Sequence, residues 1–136
     1  MKEPIWIDER DALALHDRLL ALDGGAEGVR DAGLLASALA RARQIRAYGS
    51  MAGIIRISTS YTSAMSRHSP FVDGNKRTGF LVGVLFLELN GYRFTTAEED
   101  ATQAVLSLAA GTMDETAFRA WMRGHVVKKK KGGKGT

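Results

Sequence analysis

Apolar positions recur with a helical period over most of the chain, and strict alternation of apolar and polar residues is confined to short stretches. "PIWID" near the amino end alternates and predicts a short strand. Asp8 then stands where a helix cap belongs, ahead of Leu13, His16, Leu19 and Leu20 on one helical face. "DGGAEG" breaks that helix, since its glycines accept the positive φ that a turn requires. Asp31 caps a second helix with Leu34, Leu35, Ala38, Leu39, Ala42 and Ile45 on one face, ending near "AYGS".

The segment "AGIIRISTSYTSAMSRH" places Ile54, Ile55, Ser58, Tyr61, Met65 and His68 at helical spacing, although "ISTSYTS" has poor helix propensity. It predicts a helix held by packing on both sides. The block from Asn75 to Leu89 is apolar almost all round, the pattern of a central helix, and "NG" at 90–91 supplies a left-handed stop. "YRFTT" predicts a second short strand that could pair with "PIWID". Two further helices are expected, one near Thr96 with Glu98, Glu99 and Asp100 in its first turn, the other near Asp114 with Phe118, Trp121 and Met122 as its apolar stripe. The expected architecture is mainly α: five or six helices around the segment 75–89, with at most a small two-stranded sheet.

Composition narrows the class. A chain of 136 residues, 45% hydrophobic and 25% charged, is of ordinary globular make-up and long enough for one domain with a real core. Its longest apolar run, "FLVGVLFLEL", is too short to span a bilayer, and no basic-then-apolar signal segment opens the chain. There is no cysteine, so disulfides and thiolate metal sites are excluded. These absences point to a cytoplasmic protein without a membrane partner. The net charge of +4 is concentrated in the tail "KKKKGGKGT", which holds five lysines and leaves the rest near neutral. Residues 1–127 are therefore expected to form the domain and 128–136 a disordered, solvated tail. Apart from that tail, nothing suggests nucleic-acid binding.

The chemistry gathers in "SRHSPFVDGNKRTGF", residues 66–80. A helix start leaves its first N–H groups without partners at the positive end of the helix dipole. Gly74 allows close approach to that backbone, and Asn75, Lys76 and Arg77 add donors and two charges. This is an anion site suited to a di- or triphosphate, with Arg as a planar fork and Lys as a point charge. Asp73 would repel phosphates, so it either bridges to them through a divalent metal such as Mg2+, orients a basic neighbour, or caps the helix. The GxxxxGK[ST] spacing of a Walker loop is absent. His16, His68 and His125 lack metal-ligand spacing, and His16 on an apolar face reads as a core residue. Tyr61 and Met65 read as packing.

"SPFVDGNKRTGF" resembles the signature of the Fic/Doc superfamily, His-Pro-Phe-x-[Asp/Glu]-Gly-Asn-[Gly/Lys]-Arg, and its Lys76 resembles the Doc ("death on curing") branch. "LHDRLLALDGGAEGVRDAGLLASALARARQIRAYG", "FLELNGYRFT" and "AAGTMDETAFRAWM" extend the similarity to about residues 3–125. The resemblance implies a helical toxin that transfers the terminal phosphoryl group of ATP, with Mg2+, to a hydroxyl of elongation factor Tu. It also implies restraint by an antitoxin partner. By motif position, Gly74, Asn75, Lys76 and Arg77 would hold phosphates, Asp73 would position the base or metal, and Phe71 would anchor the loop.

The general-base histidine of that motif is Ser69 here. A serine hydroxyl cannot accept a proton near neutral pH without its own base, whereas histidine can. His68 is adjacent, but one helical step turns a side chain by about 100°. The base role is therefore not transferred to His68. The expectation is a Doc-type phosphotransferase weakened at its base. The alternatives are a non-catalytic nucleotide- or antitoxin-binding member and an adenylylating Fic enzyme. The Fic self-inhibitory pattern [Ser/Thr]-x-x-x-Glu-[Gly/Asn] is absent, so restraint is expected from another chain.

Overall fold

The computed structural model describes residues 2–130. It contains six helices: α1 (Glu9–Asp23), α2 (Ala32–Arg43), α3 (Met51–His68), α4 (Asn75–Leu89), α5 (Glu98–Ala110) and α6 (Glu115–Arg123). Two three-residue strands, β1 (Tyr92–Phe94) and β2 (Val126–Lys128), complete the described elements. The caps fall where the sequence puts them. Asp8 accepts from Asp11 N–H while Asp11 accepts from Asp8 N–H, and Asp31 and Asp114 cap α2 and α6.

The architecture is mainly α, as expected, but the central helix is α3 rather than the segment 75–89. Thirteen α3 residues are buried against six in α4, and α3 packs on α2, α4, α5 and α6. Its poor propensity is overridden by this packing, and its small polar side chains make the packing close. Ser58 Oγ donates to Gly83 O at 2.9 Å, and Thr62 Oγ1 donates to Gly79 O at 2.8 Å. A Cβ on Gly83 would lie 2.5 Å from Thr62 Oγ1, so α4 can approach α3 this closely only with glycine there.

The pairing of "YRFTT" with "PIWID" is not what forms. β1 pairs antiparallel with β2, with Tyr92 opposite Lys128 and Phe94 opposite Val126. Residues 4–7 run as irregular backbone, because side chains satisfy groups that a ladder would have used. The Asn90 amide brackets Ile5, accepting from its N–H at 2.8 Å and donating to its carbonyl at 3.0 Å. Ile7 N–H donates to the buried Tyr61 hydroxyl at 3.1 Å. The domain also runs past the expected boundary at residue 127. Lys128 lies in β2, and Lys129 donates to the backbone of Gly91 and Glu88 and pairs with the Glu88 carboxylate at 3.2 Å. The tail expected to be disordered lies, from residue 131, outside the described residues.

Candidate functional site

The motif loop joins the end of α3 to the start of α4 and is tied down residue by residue. α3 stops at Ser69, whose backbone is left-handed at φ 50°, ψ 64°. It is the only non-glycine with positive φ among the described residues. Pro70 O accepts from the N–H groups of Arg30 and Asp31, and Val72 N–H donates to Gly28 O at 3.0 Å. A β-bridge between Val29 and Phe71 completes this seam with the α1–α2 loop. Phe71 is fully buried and stacks on His16, ring centroids 3.9 Å apart at 9°. The loop is thus anchored in the core by an aromatic side chain.

His16 is a satisfied core residue, buried and hydrogen-bonded through Nε2 to Asp73 O at 2.8 Å. The Asp73 carboxylate faces the α1–α2 loop: Oδ1 accepts from Gly74 N–H and Oδ2 from Ala26 N–H. It does not cap α4 through its side chain. Gly74 holds that position at φ 76° without any side-chain cap, so the start of α4 keeps its N–H groups available. Gly25 has to be glycine as well, since a Cβ there would stand 2.9 Å from Asp73 Oδ2 at a φ of +125°.

Asn75 does something its motif position does not disclose. Its Oδ1 accepts from Phe71 N–H at 2.8 Å and its Nδ2 donates to Phe71 O at 3.0 Å. The side chain staples the loop shut, which leaves its backbone N–H at the helix start for a ligand. Arg77 also has a protein partner, Asp23 at the end of α1, with Nη1 2.6 Å from Oδ2. Both side chains of this pair are about half exposed. Lys76 is exposed at the first turn of α4.

Beside this helix start opens a cleft of about 860 Å³, within the range of small-molecule sites. Asp73, Gly74, Asn75, Lys76 and Arg77 line its polar end, with Asp23, Gly24 and Gly25 beside them. Leu19, Leu20, Phe80, Ala101, Val105 and Leu106 form apolar walls, and Glu98 and Thr102 of α5 add polar groups. Ser69 is half-buried and is not among the lining residues. Five of the six residues singled out from sequence therefore share one cleft, and the base position stands apart from its lining. Arg30, Asp23 and the bonding of His16 were not foreseeable, since nothing in the spacing of "GVRDAG" or "LALDGG" marks them.

Asp73 sets what metal this cleft could hold. No group of three or more metal-ligating side chains exists among the described residues. A carboxylate with one hydrogen bond on each oxygen keeps lone pairs free, and Mg2+ is commonly held by one carboxylate together with substrate phosphates. The donor set fits Mg2+ of that kind.

A mostly helical domain, with a core-anchored loop delivering glycine, amide and two cations to a helix start at a cleft, has the architecture of the Fic/Doc fold. The model of the Fic/DOC family matches residues 6–87. Protein kinase doc of Escherichia phage P1 is 31% identical over 99 residues, covering 73% of this chain and 79% of that relative. The chain belongs to the Fic/DOC family, in its Doc branch. No described helix is long and apolar enough to cross a membrane.

Proposed function

We propose that this protein is a Doc-type toxin, a phosphotransferase that moves the terminal phosphoryl group of ATP to a hydroxyl of elongation factor Tu. In this reading Ser69 leaves the transfer weak. One observation carries it: the uncapped start of α4, with Lys76 and Arg77, lies at the polar end of a cleft large enough for a nucleotide. The N–H groups of this first turn cradle phosphate oxygens, and Lys76 and Arg77 neutralise the charge that builds on them. Asp73 would hold Mg2+ jointly with the phosphates, and that ion would further offset their charge. Asn75 keeps the loop in shape by stapling Phe71, and the protein hydroxyl enters at the loop end of the cleft. An antitoxin segment binding the apolar wall beside the motif would supply the restraint that this chain lacks.

A second reading, a non-catalytic nucleotide- or antitoxin-binding member, is favoured by Ser69 itself. The Asp73 carboxylate and His16 are engaged elsewhere, so neither activates the serine hydroxyl. Calorimetric titration with ATP tests the shared phosphate site. Lys76→Ala and Arg77→Ala are each expected to weaken binding, and unchanged affinity in both would remove it. Phosphate transfer to elongation factor Tu separates the two readings. Ser69→His is expected to raise it by ~10²–10⁴, the worth of a positioned general base. No transfer from Ser69→His, with ATP still bound, would favour the binding module.

A further inference from the structure

Arg30 lies outside the cleft and outside the motif, yet its guanidinium reaches the turn that carries the base position. Nε donates to Ser69 O at 2.7 Å and Nη2 donates to His68 O at 2.8 Å. We propose that Arg30 is the positioning residue for position 69, holding it in the left-handed conformation from which a base at that position serves the transfer. The inference rests on the functional reading above.

The turn needs such help for reasons internal to the backbone. A left-handed residue is unfavourable for any side chain with a Cβ, and a residue before proline is further biased toward extended backbone. Ser69 meets both conditions, since Pro70 follows it. A left-handed helix end is held by one backbone bond in its simpler form and by two in the Schellman form, where the second is donated by the next residue. Pro70 has no N–H to donate, so only the bond from Ser69 N–H to Met65 O, at 3.1 Å, is made within the turn. Arg30 supplies the lock from outside. Its planar fork spans two successive carbonyls, and its charge sits at the negative end of the α3 dipole. Arg30 N–H also donates to Pro70 O at 2.8 Å, so the side chain and backbone of one residue grip three consecutive carbonyls, 68 to 70.

Arg30 is exposed, so its removal should leave the fold standing while releasing the turn. The test uses the full chain with Arg30→Ala and Arg30→Lys, alone and in the Ser69→His background. By NMR, the short intraresidue HN–Hα contact that a positive φ creates at residue 69 is expected to vanish in Arg30→Ala. In Ser69→His, Arg30→Ala should lower kcat by about 10²-fold, the scale of a misplacement near 1 Å. The ATP dissociation constant should change less than about twofold, because Arg30 is not among the cleft-lining residues. Arg30→Lys, able to hold one carbonyl, should recover part of kcat. Persistence of the HN–Hα contact in Arg30→Ala overturns the inference, active enzyme or not. So does an unchanged kcat, or a loss that appears wholly in ATP affinity. If Ser69→His transfers no phosphate, the functional reading fails and the conformation of residue 69 alone decides the role of Arg30.

Discussion

Asn75→Ala separates the two jobs its motif position could do. The side chain makes two hydrogen bonds to one residue, Phe71 N–H at 2.8 Å and Phe71 O at 3.0 Å, both partly buried. A hydrogen bond contributes a net ~0.5–1.5 kcal/mol, so the pair is worth about 1–3 kcal/mol. Both bonds sit on the backbone of the fully buried Phe71, so their loss frees the loop where it is anchored. The expected result by urea unfolding is a stability lower by about 1–3 kcal/mol with an unchanged denaturant slope. Asn75→Asp is the control, since a carboxylate still accepts from Phe71 N–H but cannot donate to Phe71 O. It should lose part of this stability. ATP affinity, measured alongside by calorimetry, should fall by less than the stability does. An Asn75→Ala variant of unchanged stability that no longer binds ATP would refute the staple and make the amide a phosphate ligand.

Asp23→Asn should free Arg77 from its 2.6 Å partner and remove a negative charge from the cleft. Exposed pairs are worth ~0.2–1 kcal/mol, which corresponds to a gain in affinity for ATP and inorganic triphosphate of up to roughly fivefold. The gain should be absent in an Arg77→Ala background, and a loss of affinity would make Asp23 part of the ligand site. Burial raises the Tyr61 phenol from its ordinary 10.0 to about 12, against a smaller opposing pull from the Ile7 N–H bond. Because the folded-state pKa is the higher one, this contribution to stability is complete below about pH 10 and is lost as pH rises toward about 12. Unfolding free energies measured across that window should fall more steeply for the parent than for Tyr61→Phe, and equal slopes would contradict the assignment.

Elements whose causes are local were legible in the order of the residues. Caps at Asp8, Asp31 and Asp114 depend on a side chain reaching a backbone N–H three residues on, and helical periodicity marked the apolar faces. The motif was legible because "DGNKRT" is a contiguous run at the start of one helix, so its order along the chain is also its order in space. His16 as core residue followed from the same local logic, and Phe71 as anchor from the resemblance of the motif.

Tertiary structure decided everything that joins distant segments. β1 pairs with β2, which no alternation in the sequence marks, while the Asn90 amide satisfies Ile5 in the segment expected to be its partner. The central place of α3 rests on glycines and hydroxyls of α4 and α3 meeting face to face, which composition concealed as a poor helix. At the site, the partners of Asp73, Arg77 and Ser69 are Ala26, Asp23 and Arg30, between 39 and 54 residues away along the chain. A hydrogen bond acts over about 3 Å, and periodicity carries no information on which loops come within that distance.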